Sequence, residues 1–124
     1  MTGEELKDLL KTIQRTKCET QTLELKSASI DCPKKLFDTL SSFSNQDDGG
    51  IIVFGIDEEH GYKECGVYDP HDLQKKVNEQ CLQMEPVVRP LLTVVEKNEK
   101  LFVTAEIPGI DIIERPCFYL GIFF

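Results

Sequence analysis

SSFSNQDDGGIIVFGIDE, residues 41–58, runs from the end of an amphipathic helix through a polar glycine turn into a buried strand and out onto carboxylates. Ile51, Ile52, Val53, Phe54 and Ile56 form an apolar run of strand length, the pattern of a central strand covered on both faces. Gly49 and Gly50 ahead of it supply a turn that can take positive φ and let a backbone or a ligand come close. Behind it, Gly55 lets the chain bend, and Asp57, Glu58 and Glu59 gather where the strand leaves the core. Carboxylates there are placed for chemistry; they are equally what solvates a hairpin end.

Working outward, Pro33 with Asp31 nearby marks a helix start, and Leu36, Phe37, Leu40 and Phe43 make its buried stripe. Before that, Thr22–Lys26 alternates, with Leu23 and Leu25 on one face and Glu24 and Lys26 on the other. Strand, helix, strand in this order favours a parallel crossover. Thr2 and Glu5 fit a capping box for a helix carrying Leu6, Leu9, Leu10 and Ile13. Downstream, Tyr62–Val67 is expected to return as the antiparallel partner of the central strand. Asp69-Pro70 opens a third helix with Leu73, Val77, Cys81 and Met84 on one face. Leu91–Glu96 and Leu101–Ile107 read as a hairpin with Leu101, Val103, Ala105 and Ile107 on one side. The expectation is a single α+β domain over 1–124, with about three helices on a mixed central sheet. It divides into an N-terminal helix (1–16), a motif-bearing core (18–119) and a tail (120–124). Ile122, Phe123 and Phe124 at the end read as a cut strand or one awaiting a partner, such as a second copy.

At 124 residues and 40% apolar content the chain suits one packed core. No stretch has the length of a membrane span, and the acidic, amphipathic start is unlike a secretion signal, so a cytoplasmic protein without membrane contact is expected. The 5 cysteines are widely spaced, with no CxxC pair, and read as reduced thiols. Lys+Arg 14 against Asp+Glu 22 gives 14 − 22 = −8, the wrong sign for gripping nucleic acid by counterion release alone.

Three groups of residues could carry chemistry. Glu19, Glu24 and Asp57, with Glu58 as alternate, are carboxylates able to hold a hard cation such as Mg²⁺ or Mn²⁺, and Lys26 beside them could meet a phosphate. Because Glu19 and Glu24 lie five residues apart, a regular strand would put them on opposite faces; convergence requires an irregularity near Thr20–Thr22. Asn45, Gly49 and Gly50 could cradle a phosphate, but the turn lacks the Lys and Ser/Thr of a phosphate-binding loop, so ATP is not expected and no cofactor is certain. Arg115-Pro116-Cys117-Phe118-Tyr119 is a basic-aromatic segment that could contact a single strand through Arg115 and Tyr119. His60 and His71 read as surface residues.

Glu24-Leu25-Lys26-Ser27, Leu40–Gly50, Ile52–Glu58 and Arg115–Tyr119 resemble the Schlafen-type AlbA_2 domain, once labelled a divergent AAA-4 domain. Bacterial members of that family imply an N-terminal DNA-binding module of transcriptional-regulator-like proteins, followed by a helical, winged-helix-bearing region. Some carry an ATP-binding label from the older name. Animal relatives imply a metal-dependent endoribonuclease using three carboxylates, which fall here on Glu19, Glu24 and either Asp57 or Glu58. Where the family usually has a lysine after the aromatic pair, this chain has Leu120.

Overall fold

In a computed structural model, which describes residues 1–120, the elements follow in the order α1 (Gly3–Thr16), β1 (Leu23–Lys26), α2 (Phe37–Ser44), β2 (Gly50–Phe54), β3 (Ile56–Asp57), β4 (Lys63–Glu64), α3 (Pro70–Cys81), β5 (Met84–Glu85), β6 (Leu91–Lys97), β7 (Lys100–Ile107) and β8 (Phe118–Tyr119). The main sheet has the order β1-β2-β7-β6; β1 and β2 are parallel, and the other pairings are antiparallel. This is a mixed four-stranded sheet with three helices, an α+β fold. The reading of Ile122–Phe124 as a strand in wait falls outside the described residues.

Pleating divides β2 between two cores. Val53 faces α1, packing with Leu6, Leu10, Ile13, Leu25 and Phe102, while Ile52 and Phe54 face α2 and α3 beside Leu40, Phe43, Leu73 and Val77. Each fully buried Leu or Ile here contributes roughly 1.5–3 kcal/mol. α1 holds its position through the expected capping box: Thr2 Oγ1 accepts from the Glu5 amide, and the Thr2 amide donates to Glu5 Oε1. The acidic side chain at the helix start also suits the macrodipole.

Two expectations are corrected. α2 begins at Phe37, not at Pro33, because Gln80 of α3 takes the backbone between them: the Leu36 amide donates to Gln80 Oε1 at 2.9 Å, and Gln80 Nε2 donates to the Pro33 carbonyl at 2.7 Å. Asp31 accepts from the Cys32 amide and pairs with Lys76 instead of capping that helix. Within Tyr62–Val67, only Lys63 and Glu64 form a strand, and they pair with Ile56 and Asp57 past the bend at Gly55 (φ +116); the antiparallel partner of β2 is β7. On β7, Val103, Ala105 and Ile107 share one side, toward α2 and α3, as expected, and Phe102 is buried on the other against α1, as an interior strand requires.

Candidate functional site

A recess of about 300 Å³ opens at the carboxyl ends of the parallel strands β1 and β2, lined by Glu19, Glu24, Leu25, Lys26, Ser27, Ile56, Asp57, Glu58 and Glu59. In open sheets with parallel strands this end is the habitual place for ligands, since successive loops converge there.

Local folding brings the acids together. Gln21 and Thr22 form a tight turn, closed by Thr20 N–H to Leu23 C=O at 3.2 Å and Leu23 N–H to Thr20 C=O at 3.3 Å. The turn is the irregularity that the spacing of Glu19 and Glu24 demands. It folds Glu19 back along β1, where Oε2 accepts from the Leu25 amide at 2.8 Å. Glu24 and Lys26 share a face and pair at 3.4 Å. Beyond β3 the chain coils into a single 3-10 turn, Glu58–His60, which swings Glu58 toward Glu19 and seats Asp57 Oδ2 against His60 Nδ1 at 2.7 Å.

Crowding marks this cluster electrostatically. Partial burial lifts the Glu24 carboxyl above its ordinary value, and the charge of Glu19 adds to the effect, partly offset by Lys26. Glu58 is lifted by its hydrogen bond with Glu19, then by burial and by the charges of Glu19 and Glu24. Of the two candidates for the third acid, Glu58 is the one engaged with Glu19; Asp57 lines the same recess with its carboxylate turned to His60.

Hard oxygen donors crowded in one recess fit Mg²⁺ or Mn²⁺ in donor type. Among the described residues, however, no group of three or more His, Cys, Asp or Glu side chains is arranged so that it could hold a metal ion as it stands. Glu19, Glu24 and Asp57 are each engaged within the protein, on Leu25, Lys26 and His60 respectively.

The remaining sequence candidates lie elsewhere and hold the chain together. Asn45 joins α2 to the C-terminal segment, its Nδ2 donating to the Cys117 carbonyl and its Oδ1 accepting from the Cys117 amide. Gly49 (φ +63) lies where a Cβ would come within 2.1 Å of the Ile107 carbonyl, and at Gly50 one would enter the Phe43 ring. The close approach the glycines allow is thus taken up by the protein's own chain. Arg115 donates to the Ile110 carbonyl and pairs with Asp47 at 2.8 Å, and Tyr119 stacks on Phe37 at 3.7 Å between ring centroids. His60 was not legible as a partner of the site; its i,i+3 spacing from Asp57 was the available signal.

A larger cavity, about 520 Å³, lies at the opposite end of β2, lined chiefly by apolar groups with Asp48, Arg89 and Glu106. Glu106 there pairs with the N-terminal ammonium. Among the described residues no helix is long and apolar enough to cross a membrane.

Comparison with curated proteins finds no match. Among solved structures, the chain is similar to the N-terminal domain of a RecG-related protein from Nitrosomonas europaea, with TM-score 0.77, 24% identity, and 94% of this chain and 81% of that one covered. It is also similar to the DIP2311 protein from Corynebacterium diphtheriae, with TM-score 0.56 and 15% identity, over 92% of this chain and 23% of that larger one. Both likenesses concern the fold. The profile named "Schlafen, AlbA_2" matches residues 19–114, which takes in both ends of the carboxylate cluster from Glu19 to Glu58, and the chain belongs to that family.

Proposed function

We propose that this domain is a nucleic-acid-binding module that holds a phosphodiester at the carboxylate recess, with a divalent cation between the two acidic partners. One observation carries the reading: Glu19, Glu24 and Glu58 line one recess beside Lys26 at the carboxyl ends of the parallel strands, where burial and then Glu19 raise the Glu24 carboxyl, and contact with Glu19 raises that of Glu58. Three carboxylates crowded beside a single lysine cost stability, and a cation relieves that cost. Family membership and the RecG-related neighbour support a nucleic-acid context.

Glu19, Glu24 and Glu58 would supply the oxygen ligands, with Asp57 in reserve at the recess wall. The cation would neutralise the carboxylates and polarise a phosphate oxygen. Lys26, tethered to Glu24, would meet the phosphate charge from the side. A second reading, hydrolysis of an RNA phosphodiester, draws on the same convergence, since Glu58 shares a hydrogen bond with Glu19 and its raised pKa suits it to accept a proton.

Calorimetric titration with Mg²⁺ and Mn²⁺ tests the first reading, followed by fluorescence anisotropy with labelled single-stranded and duplex oligonucleotides with and without cation. Cation binding that is lost in Glu24→Gln, with nucleic-acid affinity lost alongside, is expected. No heat above dilution with either ion, or affinity indifferent to EDTA, would overturn it. Incubation with structured RNA and Mn²⁺ tests hydrolysis; equal cleavage by Glu24→Gln rules it out.

A further inference from the structure

Because β1 and β2 are parallel, α2 between them runs back against both and begins at the carboxyl end of the sheet, where the recess opens. β8 climbs along α2 toward the same end: Cys117 is held by Ser41 and Asn45, and Tyr119 stacks on Phe37 with the rings 12° from parallel. Between β8 and α2 lies a pocket of about 350 Å³, lined by Lys35, Phe37, Asp38, Ser41, Phe118 and Tyr119. Small-molecule sites commonly measure about 300–1,000 Å³. Half of the lining is aromatic, and Phe118 stands 48% exposed instead of entering the core. Lys35 and Asp38 are exposed, as is Lys34 next to Lys35, and none of the three makes an ion pair within the chain among the described residues. In a chain of net charge −8, this places two adjacent lysines beside a pocket of aromatic rings.

We propose that this pocket takes the base of an unpaired nucleotide, on the same strand whose phosphate lies at the recess, so that the ligand is a single strand and not a duplex. Aromatic faces stack on any base, and an ammonium beside them meets the phosphate that the base carries. Asp38 repels a phosphate inside the pocket, but its carboxylate accepts from the exocyclic amine of cytosine or adenine. The base therefore enters and the phosphate stays outside with the lysines. A purely apolar occupant would leave Lys35 and Asp38 unanswered, whereas a flat ring that bears an amine and is joined to a phosphate answers both. In a duplex the faces of each base are covered by its neighbours, and the pocket has nothing to stack on. The inference deepens the proposed function by naming the class of strand; it rests on that reading for the phosphate at the recess and not for the base.

Cytidine carries no phosphate, so a nuclear magnetic resonance titration with cytidine in EDTA tests the pocket apart from the recess. Saturable shifts confined to Lys35, Phe37, Asp38, Phe118 and Tyr119 are expected in the millimolar range, and they should disappear in Phe118→Ala, a truncation at a half-exposed position. With Mg²⁺ present, Phe118→Ala should lower affinity for a labelled single strand about fivefold to a hundredfold, while the heat of Mg²⁺ binding and the affinity for duplex stay at the wild-type level. Lys35→Glu, at an exposed position, should weaken the single strand and leave the cytidine shifts in place. Wild-type protein without cytidine shifts at the pocket overturns the proposal. So does a single-strand affinity equal in wild type and Phe118→Ala. Cytidine shifts in a protein that binds no oligonucleotide with Mg²⁺ would uphold the pocket as a base site and reject the recess.

Discussion

Glu24 shows at the scale of one residue how the recess stores unfavourable charge. Its carboxyl is raised in the folded protein first by burial and then by Glu19. A raised folded value means that the proton is bound more tightly in the folded chain, so the contribution of Glu24 to stability is best below the ordinary glutamate range. It is lost as pH rises through the folded value. At neutral pH the ionised side chain therefore costs stability. Glu24→Gln should raise the melting temperature by about 1–4 °C at pH 7, and the gain should vanish near pH 4, where the wild-type side chain is protonated. Thermal melts at the two pH values check this; a variant less stable than wild type at pH 7 contradicts it. Millimolar Mg²⁺ should stabilise the wild type and leave the variant's melting temperature unchanged, since a ligand stabilises only the state that binds it. The sequence singled out Glu19 and Glu24 as candidates through the family resemblance, and their five-residue spacing called for an irregularity that the structure supplies as the turn at Gln21 and Thr22. The choice between Asp57 and Glu58 was not. It depends on a 3-10 turn and on His60, whose contact with Asp57 no periodicity announces.

Elements were legible where local chemistry decides them. The capping box of α1, the Asp69 cap and Pro70 at the start of α3, and the β6–β7 hairpin follow from residues within a few positions of one another. They failed where a distant group intervenes, as Gln80 does at the start of α2. Gln80→Ala removes a donor and an acceptor from a half-buried bridge and should cost about 1–3 kcal/mol in urea unfolding; a loss below about 0.5 kcal/mol would mean that water replaces the amide fully. The loop between α2 and β2 makes the same point for glycine. Its tight approach was legible, but the approaching group is the Ile107 carbonyl and not a phosphate. Gly49→Ala combines a left-handed φ of +63° with a contact no Cβ tolerates. It should destabilise by about 2–4 kcal/mol, with oligonucleotide affinity of the folded fraction unchanged. A folded Gly49→Ala protein with markedly weaker oligonucleotide binding would restore the cradle that the packing disfavours.

The whole molecule sets the sign of its encounter with nucleic acid. A net charge of −8 repels a polyanion, and the carboxylates lining the recess sharpen the repulsion where contact is proposed. Arg115, the cation of the basic-aromatic segment, is tied to Asp47, and Lys76 sits between Asp31 and Asp72. A fold of this balance cannot build affinity from many lysine–phosphate contacts, as basic grooves do. The mode proposed instead would hold one or two phosphates through a cation, with Lys26 alongside. These two modes differ in how binding responds to monovalent salt. Each neutralised phosphate contributes a slope of about −0.9 to log affinity against log salt on duplex and about −0.7 on single strands. A cation-bridged contact at a single recess should therefore show a slope between about −1 and −2 at fixed Mg²⁺, and no measurable binding in EDTA at any ionic strength. Lys26→Met should reduce the slope by close to one unit while leaving cation binding in place. A slope steeper than about −5 that persists in EDTA would instead require an extended basic surface.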